Sequence, residues 1–126
     1  MRIVIADDSA LLREGLVAIL TEAGHEVVAA VADGPALVTA ALEHRPDVCV
    51  VDVRMPPSHT DEGLRAAVEV RRTWPEAALM VLSQYVEVSY FDDLAASGDG
   101  GLGYLLKDRV SEIDDFLTAL ATVASG

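Results

Sequence analysis

The sequence is short of cysteine, of basic residues and of long apolar runs, and each shortage closes off a class of function. Cys49 is the single cysteine in 126 residues. Neither a disulfide framework nor a cysteine-based metal site can form within the chain, which is compatible with a reducing cytoplasm. Cys49 itself lies inside an apolar segment and reads as a small buried hydrophobe. Nine Lys and Arg stand against 21 Asp and Glu, for a formal net charge of −12. So acidic a chain is a poor match for a nucleic-acid backbone, which needs clustered positive charge. No apolar stretch approaches the roughly 20 residues of a membrane-spanning helix, so no membrane association is expected. The chain starts directly on a strand-like segment, without a signal-peptide pattern. Internal repeats and low-complexity tracts do not occur.

What is present describes a folded domain. Hydrophobic residues make up 52% of the chain and charged residues 24%, which excludes disorder, and the length suits one domain with a real core. Its organising stretch is Val48-Cys49-Val50-Val51-Asp52-Val53-Arg54-Met55-Pro56-Pro57. The four residues Val48 to Val51 show no polar alternation and predict a central parallel strand buried on both faces. Asp52 then falls at the strand's carboxyl end, the edge at which open α/β sheets bind ligands.

The rest of the chain repeats a strand–helix rhythm. Arg2 to Ala6 predicts a first strand. Ser9 is a candidate N-cap for a helix from about Ala10 to Ala23, with Leu12, Leu16, Ile19 and Leu20 inward and Gly24 as its stop. Val27 to Val31 predicts a second strand, and Asp33-Gly34-Pro35 is turn chemistry leading into a helix from about Ala36 to His44. After the Asp52 strand and a Pro-rich loop, Thr60 or Asp61 is the candidate cap of a third helix, about Glu62 to Thr73, which Pro75 ends. Ala78 to Leu82 predicts the fourth strand, ending at Ser83, and about Val86 to Ala96 a fourth helix. Ser97 to Gly101 reads as a flexible connection. Leu102 to Leu106 predicts the fifth strand, ending at Lys107. Ser111 with Asp114 resembles a capping box opening a last helix to Ala124, with Ile113, Phe116, Leu117 and Leu120 inward. Connections too long for hairpins imply a parallel sheet with right-handed crossovers and helices on both faces.

Four predicted strands thus end on a functional side chain at one edge: Asp7 and Asp8, Asp52, Ser83 and Lys107. Taken singly, the acid pair could cap a helix, Ser83 could merely end a strand and Lys107 could be a solvated surface lysine; their joint placement argues for a site. Clustered carboxylates raise one another's pKa unless a cation sits among them. Oxygen ligands favour a hard divalent ion such as Mg2+, which uses one or two carboxylates and a phosphate oxygen. Lys107 supplies a point charge and Ser83 one hydrogen-bond donor for a phosphoryl group arriving at Asp52. Aspartyl phosphate is an established covalent species for such a nucleophile.

The acid pair, the Asp52-Val-Arg-Met-Pro segment, Ser83 and Lys107 together resemble the receiver domain of bacterial two-component response regulators over essentially the whole chain. Leu82-Ser83-Gln84-Tyr85 and Gly103-Tyr104-Leu105-Leu106-Lys107-Asp108 resemble the LuxR/NarL-type subfamily, in particular its actinobacterial members. The resemblance implies a flavodoxin-like (CheY-like) doubly wound α/β fold, with five parallel strands in the order 2-1-3-4-5 and five helices. It implies that Asp52 accepts a phosphoryl group from a sensor histidine kinase. Mg2+ would be held by Asp8, Asp52 and the backbone carbonyl of Arg54, with Asp7 acting through water. Ser83 and Tyr104 match the switch pair, and Arg54, Gln84 and Tyr85 match positions that tune access to the phosphoryl group and its lifetime. Asp108 follows the lysine where many receivers carry proline.

On this reading residues 1–126 form one receiver domain, and the chain catalyses only its own phosphorylation and dephosphorylation. Phosphorylation would promote a homodimer, through the first and last helices or through the face of the fourth and fifth helices. DNA would be reached only through a helix-turn-helix domain beyond Gly126. An aspartyl-phosphate hydrolase would share the carboxylate, serine and lysine, but normally has a second acid two residues after its nucleophile, where Arg54 stands here, and a cap domain for which no length is spare. A pseudo-receiver used only for binding would lack a catalytic position, and none is missing. His59, in the Pro-rich loop, reads as a solvated histidine.

Overall fold

The computed structural model describes residues 1–55, 62–83, 96 and 98–126. The apolar segments form five strands, β1 (Arg2–Ala6), β2 (Glu26–Val31), β3 (Val48–Asp52), β4 (Leu79–Ser83) and β5 (Leu102–Leu106). All neighbours pair in parallel, in the order β2-β1-β3-β4-β5. The described residues hold four α-helices, α1 (Ala10–Glu22), α2 (Gly34–His44), α3 (Glu62–Thr73) and α4 (Ile113–Ala124), with a 3-10 turn over Lys107–Ser111. The expected helix over Val86 to Ala96, the Thr60 or Asp61 cap, His59, the Pro56-Pro57 pair, Gln84 and Tyr85 fall outside the described residues, Ala96 apart.

The unbroken apolar runs follow from two buried faces. Val4, Ala6, Cys49, Val51, Leu79 and Val81 pack toward α2 and α3. Their strand neighbours Ile3, Ile5, Val48, Val50, Met80 and Leu82 pack toward Leu16 and Leu20 of α1 and Phe116 and Leu120 of α4. Side chains that alternate between two covered faces leave no polar position in a strand. β5, half-buried throughout, is an edge strand.

Local chemistry sets the helix ends. Ser9 Oγ accepts from the Leu12 N–H at 3.4 Å, and Gly24 takes φ 92° just beyond α1. Asp33 accepts from the Ala36 N–H at 2.8 Å, so α2 opens at Gly34, with Pro35 in its first turn. Arg45 ends α2 in the left-handed region, and its guanidinium lies 5.3 Å from the centre of the Trp74 ring.

Three expectations are corrected. Ser111 does not cap the last helix: the 3-10 turn uses it first, its Oγ donates to the Asp108 carbonyl at 2.8 Å, and Glu112 stands at the N-cap without a side-chain bond. Ile113, expected inward, is 45% exposed, and the buried stripe of α4 is Phe116, Leu120 and Val123. Gly98 to Gly101 is no flexible connection. The amides of Asp99 and Gly100 donate to the Pro75 carbonyl at 3.0 Å each, and the Gly101 carbonyl accepts from Leu79 at 2.9 Å. A Cβ on Gly100 would collide with the Glu76 and Ala77 carbonyls, and one on Gly101 with that of Val123. The glycines are there for close backbone approach.

Candidate functional site

Three strand exits and one turn converge at the carboxyl edge of the sheet. β1 runs out at Asp7 and Asp8, and β3 ends on Asp52, next to it in the sheet. Each of these three acids offers a carboxylate oxygen within 4.8 Å of the others. The first residue of the 3-10 turn after β5, Lys107, reaches back across β4. Its Nζ lies 3.0 Å from Asp52 Oδ2 and 3.9 Å from Asp7 Oδ2, with the lysine side chain 24% exposed. Strand alternation explains the meeting. Asp7 and Asp52 continue the series Ile3, Ile5 and Val48, Val50, on the α1/α4 face, and Lys107 continues from Leu105 on that face. Ser83, at the end of β4, instead continues Leu79 and Val81 on the α2/α3 face, where Tyr104 packs opposite Val81. The expected switch pair therefore shares one face, one strand repeat apart.

The acids are held from behind. The Asp7 amide donates to Val31 at 3.0 Å, and Asp7 Oδ1 accepts from the Ser9 N–H at 2.9 Å. Asp52 Oδ1 accepts from the Arg54 N–H at a long 3.3 Å, so Arg54 meets the site through its main chain. The other oxygens, Asp7 Oδ2 and Asp52 Oδ2, are buried without a hydrogen-bond donor. The lysine lies close enough to Asp52 for an ion pair. Asp7 is 1% and Asp52 2% exposed. Burial, reinforced by the charge of Asp7, pushes the Asp52 carboxyl up to about 6, against the pull of Lys107 and the Arg54 amide. Burial raises Asp7 as well, with Asp8 adding to it and the Ser9 hydrogen bond and Lys107 opposing.

This donor set fits a hard divalent cation. Two buried oxygens lack donors, and a third carboxylate is half-buried beside them. All first-choice ligand atoms are oxygens, as Mg2+ prefers. With a cation in place, the edge can accept an anionic group against Asp52, between Lys107 and the end of β4.

Of the residues expected at the site, the structure gathers Asp7, Asp8, Asp52 and Lys107, and sets Ser83 one residue past the partner of Asp52 on β4; Arg54, expected to offer its carbonyl, gives its N–H to Asp52. Two supporting residues escaped the sequence. Arg13 Nη1 donates to the Asp7 carbonyl at 2.8 Å. Gly63, in the first turn of α3, donates its N–H to Val53 at 2.9 Å and lies so near the Asp52 carbonyl that no Cβ fits between them. A glycine inside a helix was the available signal for the second; nothing in the pattern marked the first.

Comparison with known proteins agrees with the geometry. The chain matches the response regulator receiver domain family over residues 3–120. It is 38% identical over 127 residues to the oxygen regulatory protein NreC of Staphylococcus epidermidis, covering 100% of this chain and 56% of that protein. The chain thus spans about half the length of the curated relatives it matches. Among solved structures it is similar to the signal receiver domain of the response regulator NarL from Mycobacterium tuberculosis, with 31% identity and a TM-score of 0.77 over 99% of this chain and 96% of that one. The response regulator domain of Thermotoga maritima CheB, at 21% identity and a TM-score of 0.83 over 100% and 97%, shares the fold.

Proposed function

The chain belongs to the response regulator receiver domain family, in its LuxR/NarL branch, and from that premise we propose that Asp52 is the phosphoacceptor of a two-component pathway. The donor is a phosphohistidine on a cognate sensor histidine kinase. An Asp52 carboxylate oxygen bonds to phosphorus, the P–N bond breaks, and the electron pair leaves with the imidazole. Lys107 transfers its ion pair from the carboxylate to a phosphoryl oxygen, and Ser83 donates one hydrogen bond to the same group. Mg2+, when bound, neutralises charge on the phosphoryl oxygens; Asp8, Asp52 and the Arg54 carbonyl would hold it, with Asp7 acting through water. The observation that carries this reading is the Lys107 ammonium 3.0 Å from a buried Asp52 oxygen that has no hydrogen-bond donor.

The phosphorylated state is read through Ser83 and Tyr104. Ser83 turns to the phosphoryl group, the Tyr104 ring fills the space it leaves, and the surface around β5 and α4 changes. That surface, or the one on α1 and α4, forms a homodimer that signals to an attached DNA-binding helix-turn-helix domain and so to transcription. The chain turns over no external substrate and acts only on its own acyl phosphate, whose lifetime Arg54, Gln84 and Tyr85 tune. The setting is cytoplasmic, in keeping with the absence, among the described residues, of any helix long and apolar enough to cross a membrane.

Incubation with Mg2+ and acetyl phosphate, followed by intact-mass measurement, tests the core of this reading. The expected result is a gain of one phosphoryl group that disappears in Asp52→Asn. An adduct that persists in Asp52→Asn, or none from either the small donor or the cognate kinase, would overturn it.

A further inference from the structure

The β1 exit is clasped twice by α1. Ser9, the N-cap, gives its N–H to Asp7 Oδ1 at 2.9 Å and takes that of Leu12 on its own Oγ at 3.4 Å. One turn further on, the Arg13 N–H caps back to the Ser9 carbonyl at 2.9 Å, and its side chain folds over the turn to place Nη1 2.8 Å from the Asp7 carbonyl. Together with the Asp7 N–H on Val31, these bonds fix the amide, the carbonyl and one carboxylate oxygen of Asp7. Only Oδ2 is left over, and it is the buried oxygen without a donor, 3.9 Å from Lys107.

The Asp7 carbonyl belongs to the peptide that joins Asp7 to Asp8. Its direction sets the plane of that peptide, and the plane sets where the Asp8 Cα lies and so the point from which its carboxylate extends. We propose that Arg13 is a positioning residue for the acid pair: by holding the Asp7 carbonyl, its guanidinium orients Asp8 and the free Asp7 oxygen toward a divalent cation. This deepens the phosphoacceptor reading and rests on it. A guanidinium bond to a carbonyl is charge-assisted and directional, so it can hold a peptide plane against the repulsion among Asp7, Asp8 and Asp52. Mutating a residue that orients metal ligands from behind typically lowers metal affinity about 10–100-fold.

Electrostatics alone makes the opposite forecast, which sharpens the test. Arg13 is a cation near a cation site. If its charge were all that mattered, removing it would tighten metal binding. If the hydrogen bond matters, removing it loosens binding although a repelling charge has gone.

Mg2+ affinity is measured by calorimetric titration and by the Mg2+-dependent rise in melting temperature, in wild type, Arg13→Met and Arg13→Lys. Methionine keeps an apolar stem of similar length and no donor; lysine keeps the charge and a donor. The expected outcome is Mg2+ affinity about tenfold weaker in Arg13→Met, a loss of threefold or less in Arg13→Lys, and unchanged far-UV circular dichroism in both. Arg13→Leu, which also has no donor, replaces the methionine variant if the latter does not fold. Affinity in the substituted variant within twofold of wild type, or tighter, would overturn the inference while leaving the phosphoacceptor reading intact. A wild-type protein that binds no Mg2+ would overturn the metal part of that reading and the inference with it.

Discussion

The α-carbon of Gly63 rests against the main-chain carbonyl of Asp52, with no room for a Cβ between helix and strand. The first turn of α3 therefore seats directly on the peptide that carries the nucleophile. Gly63→Ala must push α3 away from the end of β3 and move Asp52 with it. Overpacking of this kind costs about 1–3 kcal/mol, measurable by urea unfolding, and it should slow phosphoryl uptake as well. Gly15 is the matched control. It lies within α1, and a methyl group added there would meet nothing within 4 Å, so Gly15→Ala should stabilise by about 0.5–1 kcal/mol. A Gly63→Ala protein as stable as Gly15→Ala would refute the contact.

The unbound site should be a pH-dependent weakness. Asp52 is raised from an ordinary 3.8 to about 6 by burial and by Asp7. Between these values the folded state holds more protons than the unfolded state, so unfolding free energy falls as pH rises from about 4 to 6 and stays low above. A shift of this size corresponds to at most about 3 kcal/mol. Asp52→Asn should therefore be about 1–3 kcal/mol more stable than wild type at pH 8 without Mg2+, and the difference should shrink toward pH 4. Added Mg2+ should recover part of it in wild type and less in the variant. Denaturant melts at the two pH values read the outcome, and an Asp52→Asn protein less stable than wild type at pH 8 would contradict the electrostatics.

Lys107 holds down both Asp52 and Asp7, and it is the only lysine in the chain, so no other lysine ammonium can take its place. Lys107→Met should send the Asp52 titration above about 6, visible in carboxyl-carbon NMR. It should also cut the rate of phosphoryl uptake by about a hundredfold, the usual loss when one donor to a developing anion is removed. An unchanged rate would remove Lys107 from the mechanism.

Strands were legible because two covered faces force runs such as Val48 to Val51 to be wholly apolar, and such runs end where the sheet ends. That alone puts Asp7, Asp52, Ser83 and Lys107 on one edge. Distances were not legible: that Lys107 spans β4 to reach Asp52 depends on the 3-10 turn, which also took Ser111 away from its expected cap. Arg13 was hidden because a long side chain folded back on its own strand leaves no period in the sequence. The Gly98 to Gly101 run misled, since glycine serves mobility and tight packing alike, and only the opposing carbonyls of Pro75, Glu76 and Ala77 distinguish the two.

That packed run yields a last prediction. Arg71, at the end of α3, is 1% exposed, and its Nη2 donates to the Gly100 carbonyl at 2.7 Å. Burial lowers its pKa, with Asp99 opposing. α3 thus touches Asp52 at one end and the approach to β5 at the other. Arg71→Met keeps the apolar stem but leaves the Gly100 carbonyl without this charged donor, at a cost of about 1–3 kcal/mol. If the guanidinium is what locks the run, amide exchange at Asp99 and Gly100 should accelerate by more than the global loss of stability accounts for, while exchange in β1 follows the global loss alone. Equal acceleration at both places would make Arg71 an ordinary core residue and leave the run held by its main-chain bonds alone.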